Sequence, residues 1–327
     1  MHAPEFWAHD GLPPTLLQPL AALYAGIGAA RRALIRPQRA GVPVLCVGNL
    51  IAGGAGKTPV ALSLAARLGA SGRRPHILTR GYGGTLAGPV RVDSARHDAT
   101  MVGDEALLLA RAAPCWVARD RVAGARQAAA AGADLLLLDD GFQNPALAKD
   151  LSLIVVDGGY GFGNRHVMPA GPLREPIASG LSRAGAVVIL GKDESGSQAL
   201  IDGRLPVLHA RLAPRGGEAL RGRDVVAFAG IGRPAKFYRT LAELGARIVA
   251  THDFPDHHAY REAEIGRLLA EARAAKAQAV TTEKDRVRLP PDLRSDVTAI
   301  AVTIEWADPA ARDALLAPYL PCVPAHG

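Results

Sequence analysis

Past residue 40 the chain alternates short apolar runs with Ala- and Leu-rich stretches of helical period. Residues 42–47, 76–79, 115–118, 135–138, 151–156 and 187–190 are short and almost continuously apolar, which predicts strands buried on both faces. Between them, residues 59–68, 104–111 and 121–131 predict helices. This alternation is the pattern of a parallel α/β sheet. The Gly- and Pro-rich stretch 158–176 has no such period and predicts a long functional loop. Composition shifts to Pro, Gly and Arg at 205–222, which predicts a linker. A second alternation follows: strand 225–229, helix 234–244, strand 247–251, helix 262–274, strands 279–282 and 297–302, and helix 308–316. The division expected is a helical segment 1–40, a domain 41–204, a linker 205–222 and a smaller α/β domain 223–327.

The first segment has its own pattern. Leu16, Leu17, Leu20, Leu23, Tyr24, Ile27 and Leu34 recur at helical spacing, and Arg31, Arg32, Arg36 and Arg39 gather at the C-terminal end. Such a helix either packs its stripe on the protein or lies in a membrane interface with arginines on anionic headgroups; the spacing by itself favours packing. Its longest apolar stretch, 20–30, falls short of the roughly 20 residues needed to span a bilayer. With Glu5 and Asp10 where a basic region would stand, no secretory signal is expected.

Composition changes this picture little. At 327 residues, 49% hydrophobic and 21% charged, the chain reads as an ordinary globular protein large enough for two domains. Net charge of +7 admits a polyanionic partner, but basic residues are dispersed and aromatics are only 5%, so a nucleic-acid surface is not expected. Cys46, Cys115 and Cys322 are odd in number and widely spaced, which predicts neither disulfides nor a metal cluster.

Candidate chemistry concentrates at strand ends. After the first strand, Ile51-Ala52-Gly53-Gly54-Ala55-Gly56-Lys57-Thr58 makes a Gly-rich turn, and Pro59 opens a helix. Glycines let backbone N–H groups converge on phosphate oxygens; Lys57 can reach the β- and γ-phosphates and the Thr58 hydroxyl can ligate Mg²⁺. Ile51 stands where the strict motif has Gly. The run Leu135–Leu138 ends in Asp139 and Asp140, a carboxylate pair suited to a nucleotide-bound cation. Polar clusters at other strand ends include Arg80 to Gly84, Gly103-Asp104-Glu105, Asp120-Arg121, Gly141-Phe142-Gln143 and Pro169 to Pro176. In the second half, His257 and His258 lie beside Asp253 and Asp256; in a strand they would point apart. A histidine tuning a carboxylate across a cleft fits them better than zinc.

Taken in order, these segments resemble the tetraacyldisaccharide 4'-kinases of lipid A biosynthesis. The likeness runs through Val47 to Pro59, Thr79 to Gly84, Val102 to Glu105, Leu138 to Gln143 and Pro169 to Pro176. It continues through Phe228 to Pro234, Phe254 to His258 and Thr282 to Asp285. The resemblance implies a P-loop NTPase-like parallel-sheet domain with a second, smaller α/β domain joined by a short β linker. It implies transfer of the γ-phosphate of ATP, with Mg²⁺, to the 4'-hydroxyl of an acylated glucosamine disaccharide phosphate. The site would be peripheral, at the inner face of the cytoplasmic membrane, the N-terminal helix would be interfacial, and a monomer is expected.

By the same resemblance Asp104 is the catalytic base with His257 its partner, and Lys57, Arg174 and Arg121 complete the catalytic set. Residues Ile51, Ala52, Gly53, Gly54, Ala55, Gly56, Lys57, Thr58, Asp140 and Gln143 would bind nucleotide. Thr58, Glu105 and Asp139 would serve Mg²⁺, and Arg80 would line the cleft. Two departures stand out: Asn144 follows Gln143 where the family usually has His, and Arg165-His166 replace a glycine-containing pair. A membrane-cycling switch ATPase of the partition type is the alternative, but such proteins carry a Lys where Ala52 stands.

Overall fold

The computed structural model describes residues 4–201 and 203–321, and Cys322 lies outside them. The strands are β1 (Val44–Gly48), β2 (Pro75–Thr79), β3 (Val90–Arg91), β4 (Cys115–Val117), β5 (Leu135–Asp139), β6 (Leu151–Asp157), β7 (Ala186–Leu190) and β8 (Val207–Arg215). They continue with β9 (Asp224–Ala229), β10 (Arg247–Asp253), β11 (Gln278–Thr282) and β12 (Thr298–Trp306). All twelve join one sheet in the order β10-β9-β11-β12-β8-β7-β6-β1-β5-β2-β4-β3. The helices are α1 (Leu12–Leu34), α2 (Lys57–Ala70), α3 (Ala99–Val102), α4 (Asp104–Leu109), α5 (Arg121–Ala130), α6 (Ile177–Leu181) and α7 (Ser197–Ile201). The last four are α8 (Pro234–Glu243), α9 (Glu262–Ala274), α10 (Glu283–Arg286) and α11 (Pro309–Leu316).

Four consecutive leucines make β5 because both faces of the sheet are covered. Leu135 and Leu137 pack with Val60, Ala61, Leu64 and Leu68 of α2, whereas Leu136 and Leu138 pack with Val122, Ala125 and Ala128 of α5. In the second lobe Val226 and Phe228 meet α9, and Val225 and Ala227 meet α8. Much of the stretch 205–222 is β8, in keeping with the short β linker the resemblance implies; it pairs parallel with β7 and antiparallel with β12, so the two lobes share a continuous sheet. One piece differs from the sequence reading. The segment 306–316, expected within the smaller domain, returns to the larger lobe. Arg67 Nε donates to Asp313 Oδ1 at 3.0 Å, Trp306 Nε1 donates to Ser63 Oγ at 2.9 Å, and Leu316 joins the core around Leu64. Periodicity reports an element's amphipathic face but not which lobe covers it.

The N-terminal segment forms α1 and touches the body through a narrow seam of Pro14, Leu17, Ala21, Ala25, Gly28 and Arg32. The larger apolar residues face away: Leu12, Leu16, Leu20, Leu23, Tyr24, Ile27 and Leu34 are exposed, from 43% at Tyr24 to 83% at Leu34. The packing that spacing alone favours is therefore overturned for all of the stripe but Leu17, because mostly small side chains occupy the contact face. No helix among the described residues is long and apolar enough to cross a membrane.

Candidate functional site

The central strand β1 lies between β5 and β6, so the turn after it opens onto the rim where their C-terminal ends converge. Helix α2 begins at Lys57, two residues earlier than expected, because Gly56 caps it in the left-handed region at φ 82°. A Cβ there would be strained and would also meet Leu190 Cδ1 at 2.4 Å. Pro59 sits in the first turn, where its missing N–H costs nothing. The loop is braced from outside: Ala52 N donates to Pro172 O at 2.8 Å and Arg174 N to Leu50 O at 2.7 Å. The stretch 158–176 contains no named helix or strand, as expected, and its last turn is the wall of the phosphate loop.

Thr58 Oγ1 donates to Asp139 Oδ2 at 3.1 Å, while Asp139 Oδ1 is buried without a hydrogen-bond partner. Burial first, and then the neighbouring Glu105 charge, push the Asp139 carboxyl up to about 7. Asp140, held at φ 53°, turns its side chain the other way, toward Lys57 Nζ at 3.7 Å and Arg174 Nη1 at 3.1 Å. Burial raises the Asp140 carboxyl, but these two cations outweigh it and hold it below the usual carboxylate range. Gln143 Oε1 accepts from Arg174 Nη1 at 3.3 Å, and its Nε2 donates to Asn49 O at 2.8 Å.

A second cluster forms where the lobes meet. Gly103, at φ 86°, caps α4, and a Cβ there would stand 2.4 Å from Tyr82 O; this turn buries Asp104 at the head of the helix. His257 Nδ1 reaches Asp104 Oδ2 at 3.0 Å from the other lobe, and Arg288 Nε lies 3.3 Å from the same oxygen. Burial raises the Asp104 carboxyl; the His257 hydrogen bond, then Lys284 and Arg288, outweigh it and leave it below its ordinary value. An ionised carboxylate only accepts, so Nδ1 of His257 carries the proton and Nε2 faces Lys284 Nζ at 3.4 Å as an acceptor. His257 is not in a strand: it follows β10 in a turn at φ 60°, which lets it reach across. His258 instead pairs with Glu264 at 3.1 Å, within its own lobe.

Thus Lys57, Thr58, Asp139, Asp140, Gln143 and Arg174 share one cluster, and Asp104 and His257 share the next. Glu105 links them, through the charge it places near Asp139 and through Lys284 at 3.5 Å. Arg121 opens α5, buried, and its Nη1 donates to Ala118 O. Burial and then the Arg80 guanidinium pull it down to about 10, while Asp140 and Asp139 pull it back. Asn144 serves its own turn, accepting from Ala146 N at 2.9 Å. His166 lies off the phosphate loop, with Nε2 3.1 Å from Asp10 Oδ1 and Nδ1 2.8 Å from Gln18 Nε2. Sequence reasoning missed Arg288 and Glu175 as site supports. Arg288 follows a recognised motif by three residues, a helical-turn spacing that places it beside Asp285; Glu175 was visible only as part of a loop motif.

A Gly-rich loop between a buried parallel strand and a helix, beside an acidic strand end, defines a P-loop nucleoside-triphosphate-binding protein. The profile of the tetraacyldisaccharide-1-P 4'-kinase family matches residues 14–320. The chain belongs to the tetraacyldisaccharide 4'-kinase family. A tetraacyldisaccharide 4'-kinase of Rhodospirillum centenum is 58% identical, covering 100% of this chain and 99% of that protein. One of Gluconacetobacter diazotrophicus is 57% identical, covering 98% of each. The fold is similar to LpxK from Aquifex aeolicus, crystallised in complex with ATP, at a TM-score of 0.78 and 26% identity over 95% of this chain and 100% of that one.

Proposed function

We propose that this protein transfers the γ-phosphoryl group of ATP to the 4'-hydroxyl of an acylated glucosamine disaccharide 1-phosphate. The observation that carries the reading is a buried carboxylate, Asp104, paired across the lobes to His257 and followed by Glu105, whose charge reaches Asp139, the acceptor of the loop's Thr58 hydroxyl. In the reaction the acceptor O–H bond breaks, an O–P bond forms, and the bond from the γ-phosphorus to the β,γ-bridging oxygen breaks to release ADP. Asp104 takes the hydroxyl proton as the O–P bond forms, held in place by His257 and Arg288. Lys57 neutralises charge on the β- and γ-phosphates while Arg174 and Gln143 orient it through Asp140, and Arg121 adds positive charge at the same rim.

Thr58, Asp139 and Glu105 are the residues that would hold Mg²⁺. The fit rests on the partnerless Oδ1 of Asp139 and on the burial and neighbouring Glu105 charge that raise the Asp139 carboxyl, an environment a divalent cation relieves. No group of three or more His, Cys, Asp or Glu able to hold a metal occurs among the described residues, so the site would be completed by phosphate oxygens, as is usual for Mg²⁺. When bound, Mg²⁺ supplies positive charge to the β- and γ-phosphate oxygens. Purified protein is expected to convert ATP to ADP only when the lipid disaccharide is present, and to stop when EDTA removes the cation. Turnover driven instead by DNA or a protein partner would replace this reading with the switch ATPase.

The exposed leucine face of α1, with Arg31, Arg36 and Arg39 also exposed near its end, supports seating on the inner face of the cytoplasmic membrane. The double variant Leu16→Gln, Leu23→Gln is expected to lose about 10-fold or more in sedimentation with anionic vesicles, since burial of each leucine contributes about 1.5–3 kcal/mol. Undiminished sedimentation would remove α1 from the membrane contact.

A further inference from the structure

The arginines at the end of α1 do not all face outward. Arg31, Arg36 and Arg39 are exposed, but Arg32 turns into the body with its side chain 19% exposed, toward Glu175, whose side chain is 1% exposed. Arg32 Nη1 lies 3.6 Å from Glu175 Oε2, and Arg32 Nη2 donates to Ser179 Oγ at 3.4 Å. Ser179 Oγ in turn donates to Glu175 Oε2 at 3.4 Å, and Arg183 Nη2 donates to the same oxygen. With its cations and hydroxyl gathered on Oε2, the carboxylate turns Oε1 toward Gln143 Nε2 at 3.4 Å.

That contact bears on the phosphate site. Because Glu175 Oε1 and Asn49 O both accept from the Gln143 amide nitrogen, the amide oxygen is left to face Arg174, which contacts Asp140, the partner of Lys57. A carboxamide flipped or turned away would set an N–H against the Arg174 guanidinium, donor against donor. A buried carboxylate is also costly unless its charge is matched on every side, so one missing cation shifts how it sits.

We infer that Arg32 of α1 is a positioning residue for the phosphate site, acting through Glu175 on Gln143 and Arg174. The helix that supports the membrane reading therefore also sets the shape of the nucleotide pocket, through contacts that exist without any lipid. This rests on the kinase reading above. Arg32 acts through Glu175 on Gln143, on the phosphate side of the site, so its effect belongs in the ATP KM rather than the lipid KM.

The test is steady-state kinetics in detergent micelles, with ATP and lipid varied separately, on Arg32→Gln, Arg32→Lys, Ser179→Ala and Arg31→Gln. Arg32→Gln is expected to raise the ATP KM about 3- to 10-fold, the scale of one lost polar contact, with lipid KM unchanged. Arg32→Lys should restore most of the loss, because a charge in the same place suffices. Ser179→Ala, which removes a donor without changing charge, should raise ATP KM in the same direction by a smaller factor. Arg31→Gln, equal in charge change but exposed, should leave ATP KM at the wild-type value. An unchanged ATP KM in both Arg32→Gln and Ser179→Ala overturns the inference, as does an equal rise in Arg31→Gln or a change confined to lipid KM. Failure of the wild-type protein to phosphorylate the disaccharide would instead sink the kinase reading.

Discussion

Asp104→Asn is expected to lower kcat by about 10³-fold while ATP binds with near wild-type affinity. The asparagine keeps the shape of the carboxylate but cannot take a proton from the acceptor hydroxyl. Asn is preferred to Ala because Asp104 is buried between His257 Nδ1 at 3.0 Å and Arg288 Nε at 3.3 Å, and an amide oxygen can still accept from donors that an empty site would leave unsatisfied. The pH profile gives a second reading of the same group. A base works deprotonated, so the rate falls as pH drops through its pKa. His257, Lys284 and Arg288 together hold the Asp104 carboxyl below its ordinary value despite burial, with Glu105 the neighbouring negative group. The wild-type acid limb assigned to this base therefore lies below the usual aspartate range, and rate–pH measurements should show no loss from it near neutrality. Loss of ATP binding in Asp104→Asn would make the residue structural.

Lys57→Ala is expected to reduce kcat/KM for ATP by about 10²–10³-fold, with both kcat and KM affected. Lys57 lies 3.7 Å from Asp140, and its charge also opposes the upward shift of Asp139. Its removal takes a cation from the phosphates and leaves Asp139, Asp140 and Glu105 less compensated around the place where three or four phosphate charges must sit. Calorimetric titration with ATP separates the two effects: weaker binding reports the ground state, and the remaining fall in kcat reports charge in transfer. An unchanged kcat/KM would remove Lys57 from the site.

Much of the site was legible because its chemistry is local. Gly56-Lys57-Thr58 after a buried strand needs no distant residue to be read, since loop conformation and helix start are set by glycine and by neighbours in sequence. Asp139 was legible for the same reason, as the polar end of an otherwise apolar run. Arg288 and Glu175 were not, because each acquires its part from residues far along the chain. Arg288 reaches Asp104, and Glu175 gathers Arg32, Ser179, Arg183 and Gln143 around one carboxylate. The direction of α1 was also beyond periodicity, which registers an apolar stripe but not whether the small residues beside it make the contact.

By itself the sequence determined the alternating strands and helices, the phosphate loop, the acidic strand ends and the family likeness, because each depends on side-chain period or on spacing within a few residues. Tertiary structure decided that β8 and β12 fuse the lobes into one sheet, that α11 closes on the first lobe, and that His257 meets Asp104 from the other side of the cleft. It also decided that α1 turns its leucines outward and Arg32 inward. Those outcomes depend on contacts between residues distant in sequence, whose energies come from burial and charge matching that no local pattern contains.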